Sequence, residues 1–342
     1  MLMPPSDDAG TDERSTLARV AREAGVSMST VSKVLNGRVG VSDATRARIE
    51  QLLGERDYNP RPASVAPLIE VVFSTVSTQW AFEIIGGAER AARQSGYSIV
   101  ITQSGDRHSP GPEWLEGVLR RRPSGIVLVF SDLPEESKRQ LRTRNMPFVI
   151  LDPLGDPAPD VPSVGAANYS GGLLATRHLI GLGHRVIGMV AGPEDMASSR
   201  ARVAGYRSAM EEAGLPHDES LIAWTDFHRH SGLEGGSLLL NRAERPTAIF
   251  AASDMAALGV YDAARERGLS VPEDLSVIGF DDLSVAQMIS PALTTIRQPL
   301  GEMAERAIRL LVRLRETSAV DDLRVDLATS LVVRDSTRRR EG

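Results

Sequence analysis

The chain has 342 residues, a length at which one hydrophobic core usually gives way to several domains. Hydrophobic residues make up 42% and charged residues 25%, as in globular proteins, and no run of about 18 uncharged apolar residues is present to span a bilayer. The first residues are acidic where a secretory signal is basic, and cysteine is absent, which excludes disulfides and thiolate sites, so we expect a soluble cytoplasmic protein.

The formal net charge of -6 is distributed unevenly along the chain. Residues 1–13 are acidic and contain Pro and Ser, which predicts a disordered tail. Residues 14–61 carry nine basic and five acidic side chains, whereas the residues after 61 carry more acidic than basic groups. A basic N-terminal segment joined to an acidic body is typical of a DNA-binding protein.

Residues 14–60 contain three apolar patterns with helical spacing. The apolar positions are Leu17, Val20, Ala21 and Ala24, then Val31, Val34 and Leu35, then Ile49, Leu52 and Leu53. Thr16 and Ser27 are placed as N-caps, and Val41-Ser42-Asp43 is a third helix start. Three short helices in this span predict a helix-turn-helix DNA-binding domain whose second helix lies in the major groove.

From residue 68 onward, apolar runs alternate with helical patterns, which predicts a parallel α/β fold. The predicted strands are 69–73, 98–102, 125–130, 148–151, 186–190, 221–224, 248–251, 275–280 and 294–298. The predicted helices are 82–95, 113–121, 134–144, 169–182, 200–214, 232–241, 254–267 and 300–314, followed by two short strands that end near Val333. Two similar lobes are implied, with a ligand cleft between them at the carboxyl ends of the strands.

Segments along nearly the whole chain resemble the lac/gal repressor family. They include LARVAREAGVSMSTVSKVLNG, VSDATRARIEQLLGERDYNP, SSRARVAGYRSAMEEAG, PTAIFAASDMAALGVYDAARERGLSVPEDLSVIGFDD and SPALTTIRQPL. The resemblance implies an all-α helix-turn-helix head, a hinge at 61–67, and a bilobal sensor and dimerisation domain at 68–342. This sensor shares its α/β fold with periplasmic sugar-binding proteins, with an N-lobe of about 68–165 and 297–325 and a C-lobe of about 166–296 and 326–336.

The same resemblance assigns DNA contacts to the second helix and its flanks. Met28, Ser29 and Lys33 would face the bases. Phosphates would be held by Ser27, Thr30, Ser32 and Asn36. Helix capping is an alternative for Ser27 and Thr30 that is compatible with a phosphate contact, and a solvated surface charge is the alternative for Lys33.

The hinge is shorter than in relatives. Arg61 and Val65 are its candidate DNA contacts, and Pro62 and Pro67 enclose only four residues. Because so short a helix is unfavourable to nucleate, we expect the hinge to stay extended or to form at most one turn.

In the sensor, the resemblance places effector contacts at strand ends. Arg202 and Asp281 match the arginine and the carboxylate that reach the effector, and their forked donors and acceptors suit sugar hydroxyls. Phe227 and Trp80 would supply opposing rings, with hydrophobic core as the alternative for Trp80. Further candidates are Thr75, Gln79, Asp152, Asn168, Ser253 and Asp254. Arg200 is an alternative to Arg202, and Asp282 is expected to cap a helix or lie in a loop.

We therefore expect a ligand-responsive repressor of sugar uptake or catabolism genes. It would act as a homodimer on a palindromic double-stranded operator and be released by a mono- or oligosaccharide, although Arg and Asp would also bind nucleosides or organic acids. The alternatives are a transporter-linked periplasmic-type sugar-binding protein, which the basic head contradicts, and a nucleotide-dependent enzyme. Nucleotide-binding and nucleophile motifs are absent from the sequence, so we expect no enzyme activity and no cofactor. His228-Arg229-His230 lacks a third ligand, so we expect an exposed loop and no metal.

Overall fold

The structure is a computed structural model that describes residues 9–35, 40–54, 67–105, 108–129, 132–216, 218–317 and 322–340, with side chains from residue 17 onward. It has an N-terminal helical head followed by two α/β lobes.

The head consists of three helices, α1 (Ala9–Ala24), α2 (Met28–Leu35) and α3 (Asp43–Gly54). Their apolar faces meet in a small core of Val20, Ala21, Val31, Val34, Ile49 and Leu53. Ser27 caps α2, because its Oγ accepts a hydrogen bond from the amide of Thr30 at 3.2 Å. Ser42 caps α3 in the same way. The three predicted helices are therefore present and pack as a unit.

The first helix starts earlier than predicted. It begins at Ala9, so Thr16 lies inside the helix rather than at its N-cap, and residues 9–13 are helical rather than disordered. Residues 1–8, Asn36 and the hinge positions 61–66, which include Arg61 and Val65, lie outside the described residues. The roles predicted for them stay predictions.

The N-lobe is built on a six-stranded, fully parallel sheet with the order β11-β5-β4-β3-β1-β2. Its strands are β1 (Leu68–Phe73), β2 (Ser98–Gln103), β3 (Gly125–Val129), β4 (Phe148–Leu151), β5 (Ser163–Ala166) and β11 (Arg324–Leu327). Its helices are α4 (Gln79–Gln94), α5 (Pro112–Arg121), α6 (Glu135–Thr143) and α12 (Leu300–Glu316). Buried clusters on both faces of the sheet explain why its central strands are uninterrupted apolar runs.

The C-lobe repeats this plan with the order β12-β10-β9-β8-β6-β7, in which β12 alone runs antiparallel. Its strands are β6 (Ile187–Ala191), β7 (Ile222–Trp224), β8 (Ala248–Ala251), β9 (Ser276–Asp281), β10 (Thr294–Arg297) and β12 (Ser330–Val332). Its helices are α7 (Asn168–Gly181), α8 (Ala197–Glu212), α9 (Arg229–Leu240), α10 (Asp254–Glu266) and the short α11 (Val285–Met288). The chain passes between the lobes after β5, after β10 and after β11.

Two details of the lobes differ from the sequence prediction. The short strand β5 and the helix α11 were not predicted, because Ser-Val-Gly-Ala and Val-Ala-Gln-Met are too short to show a period. The second difference concerns β11, which lies wholly in the N-lobe sheet, whereas the predicted lobe boundary at 325/326 divides it.

Candidate functional site

The head presents an exposed polar surface at the start of α2. Met28 is 43% exposed, and Ser29, Ser32 and Lys33 are exposed as well. Thr30 is half-buried, and its hydroxyl is 2.9 Å from the Oγ of Ser27. Free amides at a helix N-terminus favour anions, so this end of α2 is suited to phosphate groups beside base edges.

The sensor has a cleft between its two lobes. The N-lobe wall includes Phe73, Ser74, Thr75, Thr78, Trp80 and Val129. The C-lobe segments contribute Pro193, Met196, Ser198, Arg202, Asp226, Phe227, His228, Ser253, Met255, Asp281 and Leu283. Six of the predicted effector contacts therefore line one cavity, namely Thr75, Trp80, Arg202, Phe227, Ser253 and Asp281.

Arg202, on α8, is the central cation of the cleft and is only 3% exposed. Its Nε donates to Asn168 Oδ1 at 2.8 Å, its Nη2 donates to Gln298 Oε1 at 3.0 Å, and its Nη1 donates to the carbonyl of Ala252. Burial lowers the pKa of Arg202, and the nearby carboxylates oppose that shift. The guanidinium is thus held in one orientation before any ligand arrives.

Two aromatic rings surround this guanidinium. Its Cζ lies 3.7 Å from the ring centroid of Phe280 and 5.4 Å from that of Phe227. The sequence alternative, Arg200, is exposed and donates to the backbone carbonyl of Glu194. The structure therefore brings Arg202, not Arg200, into the cleft.

Two buried carboxylates face this cation with unused acceptor capacity. Asp281 ends β9, is 6% exposed, and has a φ of 114°, a strained value for a residue other than glycine. Its Oδ1 and the Oδ2 of Asp152 are buried without a hydrogen-bond partner among the described residues. Burial raises the pKa of Asp281 well above its usual range and that of Asp152 to about 6, while the charge of Arg202 opposes both shifts.

The aromatic walls are positioned by close packing. Trp80 lines the cleft and also packs against the N-lobe core, so a position in the core is compatible with its predicted contact with the effector. Phe227 lies so close to Gly192 that a Cβ at that glycine would come within 2.3 Å of the ring. Only glycine at position 192 therefore allows the ring of Phe227 to stay where it is.

Some predicted contacts do not line the cleft. Asp254 is fully buried, its Oδ2 accepts from the amide of Leu283 at 2.7 Å, and its Oδ1 accepts from Thr295 Oγ1 at 2.6 Å. Both oxygens of Asp254 thus accept from protein donors and the residue does not line the cleft, and its predicted contact with the effector stays a prediction. Burial raises its pKa to about 7.

Asn168, Asp152 and Gln79 are also absent from the residues that form the cleft wall. Asn168 holds Arg202, and Asp152 carries a charge close to it, so both act on the cleft through that cation. Gln79 has a buried Oε1 without a hydrogen-bond partner in the described part of the chain.

Sequence reasoning missed several cleft residues. Asp226 and His228 follow β7, and His228, which was expected in an exposed loop, is exposed and lines the cleft mouth as the N-cap of α9. Their position after a strand end was the available signal. Asp282 lies in the loop after β9, one of the two positions expected for it, and pairs there with Arg297 at 2.7 Å and with Arg334.

The described residues contain no group of three His, Cys, Asp or Glu side chains able to hold a metal ion. In the same residues, no helix combines the length and the apolar character needed to cross a membrane.

Comparisons with known proteins identify both parts of the chain. Residues 16–61 match the family model of bacterial regulatory proteins, lacI family, and residues 176–337 match a periplasmic binding protein-like domain. The HTH-type transcriptional regulator CelR of Thermobifida fusca is 35% identical over 337 residues, covering 94% of this chain and 98% of CelR. Catabolite control protein A of Priestia megaterium is 32% identical and covers 94% of this chain and 99% of its own length.

Solved structures give the same result. A transcriptional regulator CelR-cellobiose complex is 33% identical with a TM-score of 0.72, covering 94% of this chain and 99% of that one. The lac repressor dimer bound to operator and the anti-inducer ONPF is 29% identical with a TM-score of 0.69, covering 93% of this chain and 98% of that one.

Proposed function

Because the chain belongs to the lacI family of bacterial regulatory proteins, we propose that it is a transcriptional repressor whose operator binding is controlled by a neutral, polyhydroxylated effector. Residues 14–60 form the DNA-binding head, 61–67 the hinge, and 68–342 the effector-sensing and dimerisation domain. A protein that acts on DNA in this way works in the cytoplasm. The relatives are named as regulators, so we assign binding rather than catalysis to the cleft.

The DNA-binding role rests on α2. Met28 and Ser29 are exposed at the N-terminus of α2 and Lys33 is exposed in its last turn, which suits a recognition helix that meets base edges. The similarity to a lac repressor dimer bound to operator supports a homodimer on an inverted-repeat site. The head also separates this protein from a transporter-linked sugar-binding protein, which has the sensor fold without it.

The effector class follows from the donors and acceptors in the cleft. All three guanidinium nitrogens of Arg202 already donate to protein acceptors, whereas Asp281, which lines the cleft, has a buried Oδ1 without a hydrogen-bond partner among the described residues. A ligand hydroxyl would satisfy this oxygen. The burial that raises the pKa of Asp281 disfavours negative charge in this part of the cleft, so organic acids are disfavoured as ligands.

The aromatic side chains favour a sugar among neutral ligands. Trp80 and Phe227 line the same cavity as the polar groups, and an apolar sugar face packs well against such rings. A relative's structure is described as a complex with cellobiose, which supports a mono- or oligosaccharide. We propose that the regulated genes serve the uptake or catabolism of that sugar.

The unpartnered Asp281 carboxylate beside Arg202 carries this proposal. Its test is a thermal-shift panel of neutral saccharides, nucleosides and organic acids on the full chain and on the Arg202→Ala variant. A ligand at 100-fold its Kd stabilises a protein by about 2.7 kcal/mol, so a neutral saccharide should raise the Tm of the wild type and not that of the variant. An organic acid as the strongest stabiliser would contradict the proposed effector class.

A further inference from the structure

Arg144, the C-cap of α6 in the N-lobe, contacts the DNA-reading head. Its Nη2 donates to the carbonyl of Val34 at 2.6 Å, and its Nε donates to the carbonyl of Leu35 at 3.0 Å. Its third nitrogen, Nη1, donates to the carbonyl of Gln140 on its own helix at 2.9 Å. One planar guanidinium therefore joins the sensor to the last two residues of α2.

This end of α2 has a chemical need for such a partner. The last carbonyls of a helix have no intrahelical donor, and they carry the negative end of the helix dipole. A guanidinium supplies two parallel N–H donors and a positive charge, which suits two adjacent carbonyls. Val34 and Leu35 are the final residues of the eight-residue α2, so Arg144 caps the recognition helix from another domain.

A second contact concerns Glu50 on α3 of the head. Glu50 is buried, and both its carboxylate oxygens lack a hydrogen-bond partner among the described residues. Arg139 of α6 brings its Nη2 to 3.9 Å from Glu50 Oε2. Burial lowers the pKa of Arg144, and the charge of Glu50 opposes that shift. A buried carboxylate needs a compensating cation, and α6 supplies it.

The base-contacting residues remain free in this arrangement. Met28 and Ser29 lie at the opposite end of α2 from the capped carbonyls, and both are exposed, as is Lys33. The contact with α6 therefore holds the C-terminal end of α2 while the side chains of Met28 and Ser29 at its start and of Lys33 in its last turn stay exposed.

We propose that the C-terminal end of α6 is a docking surface for the DNA-reading head. Arg144 holds the head through the last two carbonyls of α2, and Arg139 holds it through Glu50. In this docked position the side chains predicted to contact bases point outward. This goes beyond the repressor function, because it concerns the protein without DNA or effector. It gives the N-lobe, which also forms one wall of the effector cleft, a contact with the head that does not pass through the hinge.

Amide hydrogen exchange of the full chain, free of DNA and effector, tests the docking surface. In the Arg144→Gln variant, exchange in 28–35 and 43–54 should become about tenfold faster, the effect of losing one charged hydrogen bond. Arg142→Gln is the matched control, because Arg142 is exposed on the same helix and pairs with Asp160 instead of the head. Equal exchange of the head in the two variants would overturn the proposal.

Two further measurements complete the test. If Arg144→Gln does not fold, Arg144→Lys keeps the positive charge without the forked donors and should still make amide exchange in the head about threefold faster.

Because the chain has no cysteine, Met28→Cys introduces a single thiol. That thiol should react with a disulfide reagent at the same rate whether Arg144 is present or replaced by Gln. A thiol that reacts tenfold faster after Arg144→Gln would show that docking covers the reading end, which would overturn the outward orientation. Neither readout involves an operator or a ligand, so failure here is distinct from failure of the proposed repressor function.

Discussion

Arg202 connects the effector cleft to two of the points at which the chain passes between the lobes. Asn168 lies just after the chain leaves the N-lobe following β5, and Gln298 lies just after β10, where the chain returns to the N-lobe. Arg202 is hydrogen-bonded to both, so a ligand that binds Arg202 acts on a side chain that contacts both connecting segments. This placement explains how a small ligand biases the relative state of the lobes, because an effector acts through differential contacts with two states.

Replacing Arg202 by Ala should weaken effector binding. The lost charged hydrogen bond costs about 1.5 to 3 kcal/mol of binding free energy, and Asn168 and Gln298 are left without their partner. Calorimetry on the effector found by the panel measures the affinity, and operator binding without effector should stay close to that of the wild type. Arg200→Ala is the control, because that side chain is exposed and donates to the backbone carbonyl of Glu194 outside the cleft wall. Unchanged affinity in Arg202→Ala would contradict the assigned site.

The buried Asp152 predicts a pH dependence of stability. Burial raises its pKa from 3.8 to about 6 in the folded protein, so between these values the folded state binds more protons than the unfolded state. Its contribution to the free energy of unfolding therefore falls as pH rises from about 4 to about 6.5 and then levels off. Asp152→Asn mimics the protonated form and should gain stability over the wild type across that window, by about 1 to 3 kcal/mol.

Urea unfolding at pH 4.5 and pH 7 measures this difference. Asp156→Asn is the control, because Asp156 is exposed and pairs with Arg324 at the surface. A difference between Asp152→Asn and the wild type that is the same at both pH values would show that burial does not hold the proton on Asp152.

The sequence predicts which residues lie near the cleft better than it predicts which of them are available to a ligand. Arg202, Phe227 and Asp281, which the family resemblance predicts as effector contacts, all line the cleft. Asp254 occupies an equally suggestive strand end, but its two donors come from Leu283 and Thr295, 29 and 41 residues away in sequence. Such long-range partners decide whether a carboxylate is available to a ligand, and no local pattern reveals them.

At the scale of helices and strands, the sequence predicts an element well where a clear apolar pattern begins and ends sharply. β4 and β8 have the predicted bounds, since each is a short apolar run closed by polar or turn residues. The predicted start of α1 is wrong. Thr16 is a good N-cap residue, but the helix begins seven residues earlier, at Ala9. Local cap preference is a weak signal when the preceding residues also accept a helical backbone.

The hinge is the element whose prediction remains open, since its residues 61–66 lie outside those described. Pro62 and Pro67 leave four residues between them, too few to nucleate a stable helix, and Val65 is the only large apolar side chain available as a minor-groove wedge. We expect Val65→Ala to lower operator affinity by less than about 1 kcal/mol and to leave the operator bend unchanged. Circular-permutation gel shifts measure the bend; a loss of several kcal/mol together with loss of a bend would show that the hinge does insert.

For the whole molecule, the head and the sensor predict a two-fold complex. One head offers a single short recognition helix, which buries too little surface for specific binding, so two heads related by the dimer axis must read two half-sites.

An inverted repeat should therefore bind much more tightly than a single half-site carrying the same bases. Gel shifts with DNA selected from a random pool, and with the same DNA shortened to one half-site, measure the ratio of the two affinities. Equal affinity for both would contradict the dimeric complex.

In the intact site, Lys33→Ala should cost about 1 to 3 kcal/mol of binding free energy and relax the sequence preference at one position in each half-site, because a base contact carries sequence information. If Lys33 is only a surface charge near phosphates, the loss is instead the same for every sequence, and the slope of affinity against salt concentration falls. Arg93→Ala, an exposed change on α4 of the sensor, should alter neither quantity.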